Sequence, residues 1–341
     1  MVALRKVASA LLMLGLVASL GACGSPTTPS SVPSGNAFPL VIENCGRQVT
    51  IPAPPQRVLT GYQNTVEMMI ALGLGDKVVG RQPFTQSPVL PEQKAAFDAI
   101  PELTPGLPDN AQSVAASREV QLAAKPDFVL ANGEYELNPA RGVASIADFE
   151  AAGAQVFILT AGHSSGSCGQ DRSTIEQVYD DLTTLGRIFG VEQRAETLVA
   201  EMKNEIAEVK KAIAGRTPVR LLAYDSGEGP LVTMSDHYFD SSLAGAANIV
   251  TSDQGYPEVG VEVLVSGNPE VIVTVNYETG PIEDEARKKE KLLRSLVPQS
   301  PAVRNGRFVP MESIAFSPGI RNAQTVRDLA KALHPAAFGQ G

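Results

Sequence analysis

The sequence predicts an α/β protein with two Rossmann-like lobes joined by one long, rigid α-helix. First, Glu119–Leu130, EVQLAAKPDFVL, recurs as Glu262–Val273, EVLVSGNPEVIV, with Glu-Val, five residues, Pro, an acid and an apolar run in both copies. Second, strand-like and helix-like segments alternate around each copy, a pattern typical of parallel βα units. Third, a long helical pattern, 195–213, separates the two halves.

The N-terminus has the features of an export signal. Arg5 and Lys6 precede an apolar stretch at 7–20, which has about 14 residues and is shorter than the ~20 residues that span a bilayer. The LGAC sequence that ends at Cys23 resembles the lipobox of bacterial lipoproteins, in which that thiol is lipidated. We expect lipidation at Cys23; the alternative is a plain secretion signal with a chance cysteine.

A signal peptide of residues 1–22 is followed by a segment that cannot pack. Residues 23–37 are rich in Pro, Ser, Thr and Gly, which predicts a flexible tether. We therefore expect an exported chain held by lipid on the outer face of the cytoplasmic membrane. The full chain has a net charge of −9, and an acidic chain without basic clusters argues against nucleic-acid binding.

The N-terminal lobe is predicted to span residues 38–172. Its segments alternate in the order that parallel βα units require. They are a hairpin at 38–52, a strand at 57–61, a helix from 64 that closes on Gly, a strand before Arg81, a helix at 117–124, a strand at 128–130, a helix at 144–152 and a strand at 155–159.

A helical connector is predicted at 173–215, and a second lobe at 216–338. Two apolar stripes at helical spacing end at Gly190 and Gly215, and the second is long enough to be a rigid connector. The second lobe then repeats the first. Its predicted elements are a strand in VRLLAYDSG, a helix in DSSLAGAANIV, the second copy of the repeat, a strand in RFVPM and a closing helix before Pro335.

Three cysteines support an exported protein. Lipidation of one leaves Cys45 and Cys168, and an oxidising compartment favours a disulfide between them. The alternative is two unpaired buried thiols, because sequence alone does not show that the two residues are close.

The motifs together resemble the ABC-transporter substrate-binding lipoproteins that deliver ferric siderophores, haem and cobalamin. The resemblance covers 38–338 and rests on the lipobox, PPQRVLTGYQNTVEMMIALGLGDKVVG, LAAKPDFVL, the long helix, LAGAANIV, GNPEVIV and AVRNGRFVPM. It implies a monomer with a ligand cleft between two lobes. It also implies delivery to an ABC permease dimer with cytoplasmic ATPases, no enzymatic activity and no cofactor.

The resemblance gives the repeated acid a role. In this family each lobe presents a Glu that meets arginines of the permease, and Glu119 and Glu262 occupy equivalent positions, each seven residues before a Pro. The alternative is structural, since an acid in the first turn of a helix interacts favourably with the helix dipole.

Candidate ligand-binding residues lie where strands end and helices begin, the usual crevice of α/β sheets. Tyr offers a flat apolar body with a polar tip, and Arg a planar fork for anionic oxygens. The candidates are Tyr62, Gln63, Arg81, Glu134, Tyr135, Asp236, His237, Tyr238, Tyr277 and Arg321.

The identity of the ligand is open at this point. The chain has no Trp, which many relatives use in the cleft, and ENCG with GIRN also resembles actinobacterial members assigned to deazaflavin-precursor uptake. A metal-ion binder is disfavoured because the three His residues, His163, His237 and His334, are never three or four residues apart. We therefore expect no metal site.

Two further alternatives concern function. GHSSG at 162–166 matches the nucleophile-elbow pattern of serine hydrolases, but no helix is predicted directly after Ser164. The absence of labelling of Ser164 by a serine-reactive probe would remove that reading. A surface lipoprotein without a transport role, such as an adhesin, is the other alternative, and a ligand-responsive cleft would argue against it.

Overall fold

The computed structural model describes residues 38–82, 87–105, 115–162, 168, 172–277 and 281–339. These belong to one compact unit, Asn36–Gly341. The predicted signal peptide, the lipidation site Cys23, the tether and Ser164 lie outside the described residues. The boundaries that we place at 172, 215 and 338 stay predictions.

An antiparallel hairpin opens the fold, as the sequence predicts. Strands β1 (Leu40–Asn44) and β2 (Arg47–Ile51) bury alternate residues, and the turn residues Cys45 and Gly46 both have positive φ. The predicted disulfide between Cys45 and Cys168 is present and holds this turn to the loop after the last strand of the first sheet. The hairpin is thereby fixed to the lobe that follows it.

The first lobe has a four-stranded sheet in which all strands are parallel, in the order β4-β3-β5-β6. The central strand β5 is buried along its whole length, as expected for a sheet covered on both faces. The strands are β3 (Val58–Thr60), β4 (Val78–Arg81), β5 (Phe128–Ala131) and β6 (Gln155–Ile158). The helices are α1 (Gln63–Ala71), α2 (Lys94–Ala99), α3 (Arg118–Ala123) and α4 (Ile146–Ala151).

Two helices connect the lobes. Helix α5 (Ile175–Phe189) ends at Gly190, which has a left-handed conformation, and α6 (Glu192–Ala212) follows with 21 residues, a length of roughly 30 Å. Their buried faces share one apolar cluster with strands of both sheets, for example Phe157 and Leu221. The predicted long connector is therefore present and packs against both lobes.

The second lobe repeats the plan of the first. Its sheet has the order β10-β8-β7-β11-β12, with β9 beside β7, and β7, β9, β11 and β12 are mutually parallel. The strands are β7 (Val219–Ser226), β8 (Leu231–Met234), β9 (Ala246–Asn248), β10 (Glu258–Val259), β11 (Val271–Asn276) and β12 (Phe308–Glu312). The helices are α7 (Val261–Gly267), α8 (Ile282–Leu296), α9 (Pro301–Arg304), α10 (Ser313–Phe316) and α11 (Asn322–Leu333).

The prediction of a helix in DSSLAGAANIV is wrong. The segment forms one 3-10 turn, Ser241–Ala244, and then enters strand β9. Gly245 has a φ of +78°, and a Cβ at this position would lie 2.5 Å from His334 Nε2. The chain therefore turns out of the helical conformation at Gly245, where the His334 ring lies 3.0 Å from its carbonyl oxygen.

The sequence repeat is also a structural repeat. In each copy a short helix, α3 or α7, leads through a Pro into a buried central strand, β5 or β11. The residue before each Pro has a left-handed backbone, with a φ of +48° at Lys125 and +46° at Asn268. The two copies therefore use the same backbone turn at equivalent places in the two sheets.

Candidate functional site

The two lobes meet at helix α1 and the segment that follows α10. Asn64 Nδ2 donates to the carbonyl oxygen of Pro318 at 2.7 Å, and Arg321 Nε donates to Glu67 Oε2 at 2.7 Å. The loops that follow the central strands of both sheets are therefore the place to look for a site.

Two tyrosines and a carboxyl group form the first-lobe side. Tyr62 lies between β3 and α1, and its ring meets that of Tyr135 edge to face, with centroids 6.5 Å apart. The Tyr135 hydroxyl donates to Glu136 Oε1 at 3.1 Å, and the backbone N–H of Asn132 donates to Glu136 Oε2 at 3.3 Å. A Cβ on Gly61 would lie 1.6 Å from Glu136 Oε2, so this close approach requires glycine.

Glu136 is held largely protonated at neutral pH. Burial raises its pKa to about 8, although hydrogen bonds from Asn132 and Tyr135 and the charge of Arg141 act in the opposite direction. The Arg141 guanidinium lies 5.8 Å from the centre of the Tyr135 ring. Burial likewise raises the pKa of Tyr135, so its hydroxyl stays a hydrogen-bond donor.

Asp225 and two further tyrosines form the second-lobe side. Asp225 lies near the end of β7 and is buried; its carboxylate accepts hydrogen bonds from the hydroxyl groups of Tyr277 and Ser226. Tyr277 is also hydrogen-bonded to Tyr256, and burial followed by the Asp225 charge raises the pKa of Tyr277 far above its usual range. Beneath Tyr256 packs the buried Tyr238, with ring centroids 4.6 Å apart.

Tyr62 links the two sides. Burial is the main cause of the raised pKa values of Tyr256 and Tyr277, and nearby charges such as Asp225 come next. The proximity of Tyr62 adds a smaller contribution to both pKa values. The phenol groups of the two lobes are therefore near enough to interact electrostatically, with Glu136 on the first-lobe side and Asp225 on the second; we call Tyr62, Tyr135, Tyr256 and Tyr277 the tyrosine cluster. Next to the cluster, the first lobe contains a cavity of about 110 Å³. The cavity is lined by polar groups of the site and by apolar side chains, among them Tyr62, Tyr135, Glu136, Gln82, Val129 and Phe149.

The two arginines that the sequence nominates are both paired with carboxylates. Arg81 lies 3.2 Å from Glu102 and stacks on Phe97, 4.6 Å from the ring centre. Arg321 contacts Glu67 and donates to the carbonyl oxygen of Pro88 at 2.9 Å. The Arg321 guanidinium is therefore committed to protein acceptors, whereas Arg81 keeps Nε and Nη1 buried without a hydrogen-bond partner.

The four other nominated residues have different settings. Gln63 is 1% exposed and donates to Glu67 and to the carbonyl oxygen of Ser87. Asp236 accepts from the backbone and hydroxyl of Ser241 and so closes a turn. His237 is half-buried, and its carbonyl oxygen accepts from Ser173 N at 2.8 Å. Glu134 is exposed.

The structure thus brings together four of the predicted residues, namely Tyr62, Tyr135, Tyr238 and Tyr277. Glu136, Asp225 and Tyr256 were missed. Asp225 ends the predicted strand in VRLLAYDSG and Glu136 adjoins Tyr135, so both could have been nominated by the strand-end rule. Tyr256 lies in an irregular loop that carries no such signal.

Glu119 and Glu262 occupy equivalent sites on the surface. Each is exposed and lies in the first turn of its helix, α3 or α7. Hydrogen bonding to its own backbone and to Ser117 lowers the pKa of Glu119. Beside Glu262 are two exposed apolar side chains, Val261 at 39% and Val265 at 60%.

Within the residues that the structure describes, no group of three or more His, Cys, Asp or Glu side chains is placed to hold a metal ion. Over the same part of the chain, no helix is both long and apolar enough to cross a membrane. The third histidine of the sequence, His334, is 7% exposed, and its Nε2 lies 3.0 Å from the carbonyl oxygen of Gly245.

Comparison with known proteins identifies the family. The sequence profile of the periplasmic binding proteins matches residues 58–315, which include both sheets. The chain belongs to the periplasmic binding protein family. Family membership agrees with the fold, since two α/β lobes are joined here by a long helix.

Several known proteins resemble this chain over about two thirds of its length or more. YvrC of Bacillus subtilis (strain 168), an uncharacterized ABC transporter substrate-binding lipoprotein, is 24% identical over 330 residues, or 94% of each chain. A vitamin B12-binding protein of Vibrio cholerae is 22% identical over 230 residues, 66% of this chain and 72% of the relative. The structure of an ABC-type Fe3+-hydroxamate transport system from Saccharomonospora viridis superposes with a TM-score of 0.68 at 25% identity, over 89% of this chain and 100% of that chain.

Proposed function

We propose that this periplasmic binding protein is the extracytoplasmic solute-binding subunit of an ABC importer. It captures an iron siderophore, haem, cobalamin or a similar chelate and delivers it to a permease dimer driven by cytoplasmic ATPases. The observation that carries the proposal is the tyrosine cluster at the junction of the lobes, with Tyr62 and Tyr135 on the first lobe and Tyr256 and Tyr277 on the second.

The chemistry of this cluster suits a large ligand with a flat apolar surface and polar edges. Phenol rings offer broad apolar faces, while their hydroxyl groups hydrogen-bond to chelating oxygens or amides. The names of the relatives support the same range of ligands, since one binds vitamin B12 and another belongs to an Fe3+-hydroxamate system.

Native mass spectrometry of the protein purified from its own host tests the proposal directly. We expect a mass increment from a retained chelate or chromophore, and denaturation should release it for identification. A Tyr62→Ala and Tyr277→Ala double variant should lose the increment while keeping its fold by circular dichroism. An increment that persists unchanged in this variant would place the ligand elsewhere.

We further propose that Glu119 and Glu262 dock the protein on the permease. Both acids are exposed, they occupy equivalent positions in the two lobes, and Glu262 is flanked by exposed Val261 and Val265. An exposed acid flanked by exposed apolar side chains is typical of a protein contact surface. A partner that covers this surface would bury the two valines and pair the carboxylate.

An uptake assay with a double variant tests docking. Glu119→Ala with Glu262→Ala should abolish uptake and leave ligand affinity unchanged. The matched control is Glu176→Ala, since Glu176 is also an exposed acid in a first helical turn, that of α5. Equal losses of uptake in the control and the double variant, or a parallel loss of affinity, would show that these acids act structurally.

Lipid anchoring at Cys23 is the third part of the proposal. It is supported by the LGAC sequence and by the relative from Bacillus subtilis, which is named as a lipoprotein. Cys23→Ala should shift the protein from the membrane fraction to the soluble fraction. Retention of the variant in the membrane fraction would argue against a lipid anchor.

A further inference from the structure

The cavity beside the tyrosine cluster lies within the first lobe and has walls that are mostly apolar. The neighbouring strands β3 and β5 contribute the buried Leu59 and Val129, and the buried Val143 and Phe149 also line it. Its volume is about 110 Å³, which is room for several carbon atoms. The cavity, which we call the first-lobe cavity, can therefore receive a short aliphatic arm of a ligand.

Two buried glutamines line the first-lobe cavity with unused donors. Gln82 is 7% exposed, and its side-chain oxygen accepts from the backbone N–H of Ala116 at 2.6 Å. Gln121, in α3, is 2% exposed, and its oxygen accepts from the N–H of Ala144 at 2.9 Å. These bonds fix the orientation of each amide, so the nitrogen is the group left over. Neither nitrogen has an acceptor among the residues that the structure describes, although buried donors normally have a partner.

Glu136 and Arg141 supply the ionisable groups of the lining. Burial raises the pKa of Glu136 to about 8, so at neutral pH its carboxyl group keeps an O–H donor. Arg141 is exposed and forms no ion pair with any described residue, and its guanidinium lies 5.8 Å from the centre of the Tyr135 ring. The lining thus presents amide donors, a carboxylic acid and a cation. A carboxylate, which only accepts hydrogen bonds, is the ligand group that matches such a set.

We propose that the first-lobe cavity is a binding subsite for a short aliphatic arm of the solute that ends in a carboxylate. This inference rests on the proposed solute-binding function and names a group that the solute must carry. The apolar walls pack against the methylene groups of the arm. Its carboxylate accepts from the amides of Gln82 and Gln121 and from the Glu136 acid, while Arg141 supplies the counter-charge. Two members of the tyrosine cluster also line the cavity, so the arm extends from a solute that lies on the cluster.

NMR titration of the methyl-labelled protein with two small probes tests the proposal. Butyrate and butanamide have the same length, but only butyrate carries a charge. We expect butyrate to shift the methyl signals of Val129 and Val143 saturably and to bind about 10-fold more tightly than butanamide. Leu293, buried in the second lobe, provides reference signals that should not move.

An arginine variant assigns the preference for butyrate to a named group. Arg141→Gln removes the cation from an exposed position, so the fold should be unaffected. It should weaken butyrate binding about 5- to 10-fold and leave butanamide binding nearly unchanged. The matched control is Arg304→Gln, since Arg304 is an exposed arginine at the end of α9, and it should change neither affinity.

The pH dependence of butyrate binding provides a second readout. The titratable groups around Glu136 are the Arg141 cation and Tyr135, which stays neutral because burial raises its pKa, with Tyr62 beside Tyr135. Butyrate is ionised throughout from pH 7 to pH 9, whereas the neutral fraction of Glu136 falls about 10-fold over this range. Because ionised Glu136 repels a carboxylate, butyrate should bind about 10-fold more weakly at pH 9 than at pH 7. In Glu136→Gln its affinity should not change with pH.

Contrary results bear on separate claims. Equal affinities for the two probes, or butyrate binding that is unchanged in Arg141→Gln, would overturn the assignment to a carboxylate. If neither probe shifts the cavity signals, the cavity holds only water and the subsite is refuted. A chelate retained in native mass spectrometry that has no carboxylate would also overturn the subsite but leave the solute-binding function intact. The absence of any retained chelate, with butyrate still bound, would instead count against chelate capture and leave the carboxylate site standing.

Discussion

The Glu67–Arg321 ion pair, which joins the two lobes, gives a quantitative stability prediction. The Glu67 side chain is 1% exposed and the Arg321 side chain 12%. Arg321 contacts Glu67 through two nitrogens, Nε at 2.7 Å and the second donor at 2.5 Å, and also donates to Pro88 at 2.9 Å. This bidentate geometry fixes both side chains, and loss of either one leaves a buried charge without its partner.

Arg321→Met removes the guanidinium but keeps much of the side-chain volume. The Glu67 carboxylate then stays buried without its counter-charge, so the free energy of unfolding should fall by about 3–5 kcal/mol. Glu67→Gln should lower it less, by about 1–3 kcal/mol, because the amide still hydrogen-bonds and Glu312 lies 3.8 Å from Arg321. The double variant should lose less than the sum of the two, with a coupling of about 1–3 kcal/mol.

Urea denaturation followed by circular dichroism, with all four proteins in one buffer, measures the cycle. The control is Arg304→Met, because Arg304 is exposed at the end of α9 and its removal should change stability by no more than about 0.5 kcal/mol. A loss below about 1 kcal/mol for Arg321→Met, or strict additivity in the double variant, would refute the argument that this pair is a buried, coupled contact between the lobes.

Three further variants test other contacts. Glu136 has a raised pKa of about 8 in the folded state against 4.5 unfolded, so its contribution to stability is present at low pH and is lost as pH rises through 8. As the pH rises from 4.5 to 8.5, the free energy of unfolding of Glu136→Gln should therefore increase relative to that of wild type by on the order of 2–4 kcal/mol, as urea titrations at each pH will measure. A difference between the two proteins that does not change with pH would contradict this. Replacing Cys45 and Cys168 together by Ser opens a crosslink between residues 123 apart and should reduce the unfolding free energy by roughly 4–5 kcal/mol; reductant should then have no further effect. Asn268→Ala puts alanine, which tolerates a left-handed backbone less well than asparagine, at a φ of +46°. It should lower the free energy of unfolding by about 1–2 kcal/mol and with it the melting temperature, while Asn268→Gly should not.

Local patterns predicted most of the fold. Apolar periodicity located the hairpin, the central strands and the long helix α6, since each buries a face whose spacing is visible in the sequence. It failed at 240–250, where the local residues favour a helix but Gly245 is held against His334, a residue 89 positions away. A contact that distant leaves no mark on local periodicity.

The sequence by itself determined the duplicated α/β architecture, the family and the tyrosines at the strand ends, because these follow from spacing and residue type. Only the tertiary structure decided the charge of the site. Whether Arg321 can receive an anion depends on the carboxylate beside it, and Glu67 stands 254 residues earlier in the chain. Likewise, Glu136 is protonated because of its burial against Gly61, and Asp225 joins the cluster because β7 and β11 are neighbours in the sheet. Electrostatics depends on three-dimensional distance and desolvation, which the order of residues does not reveal.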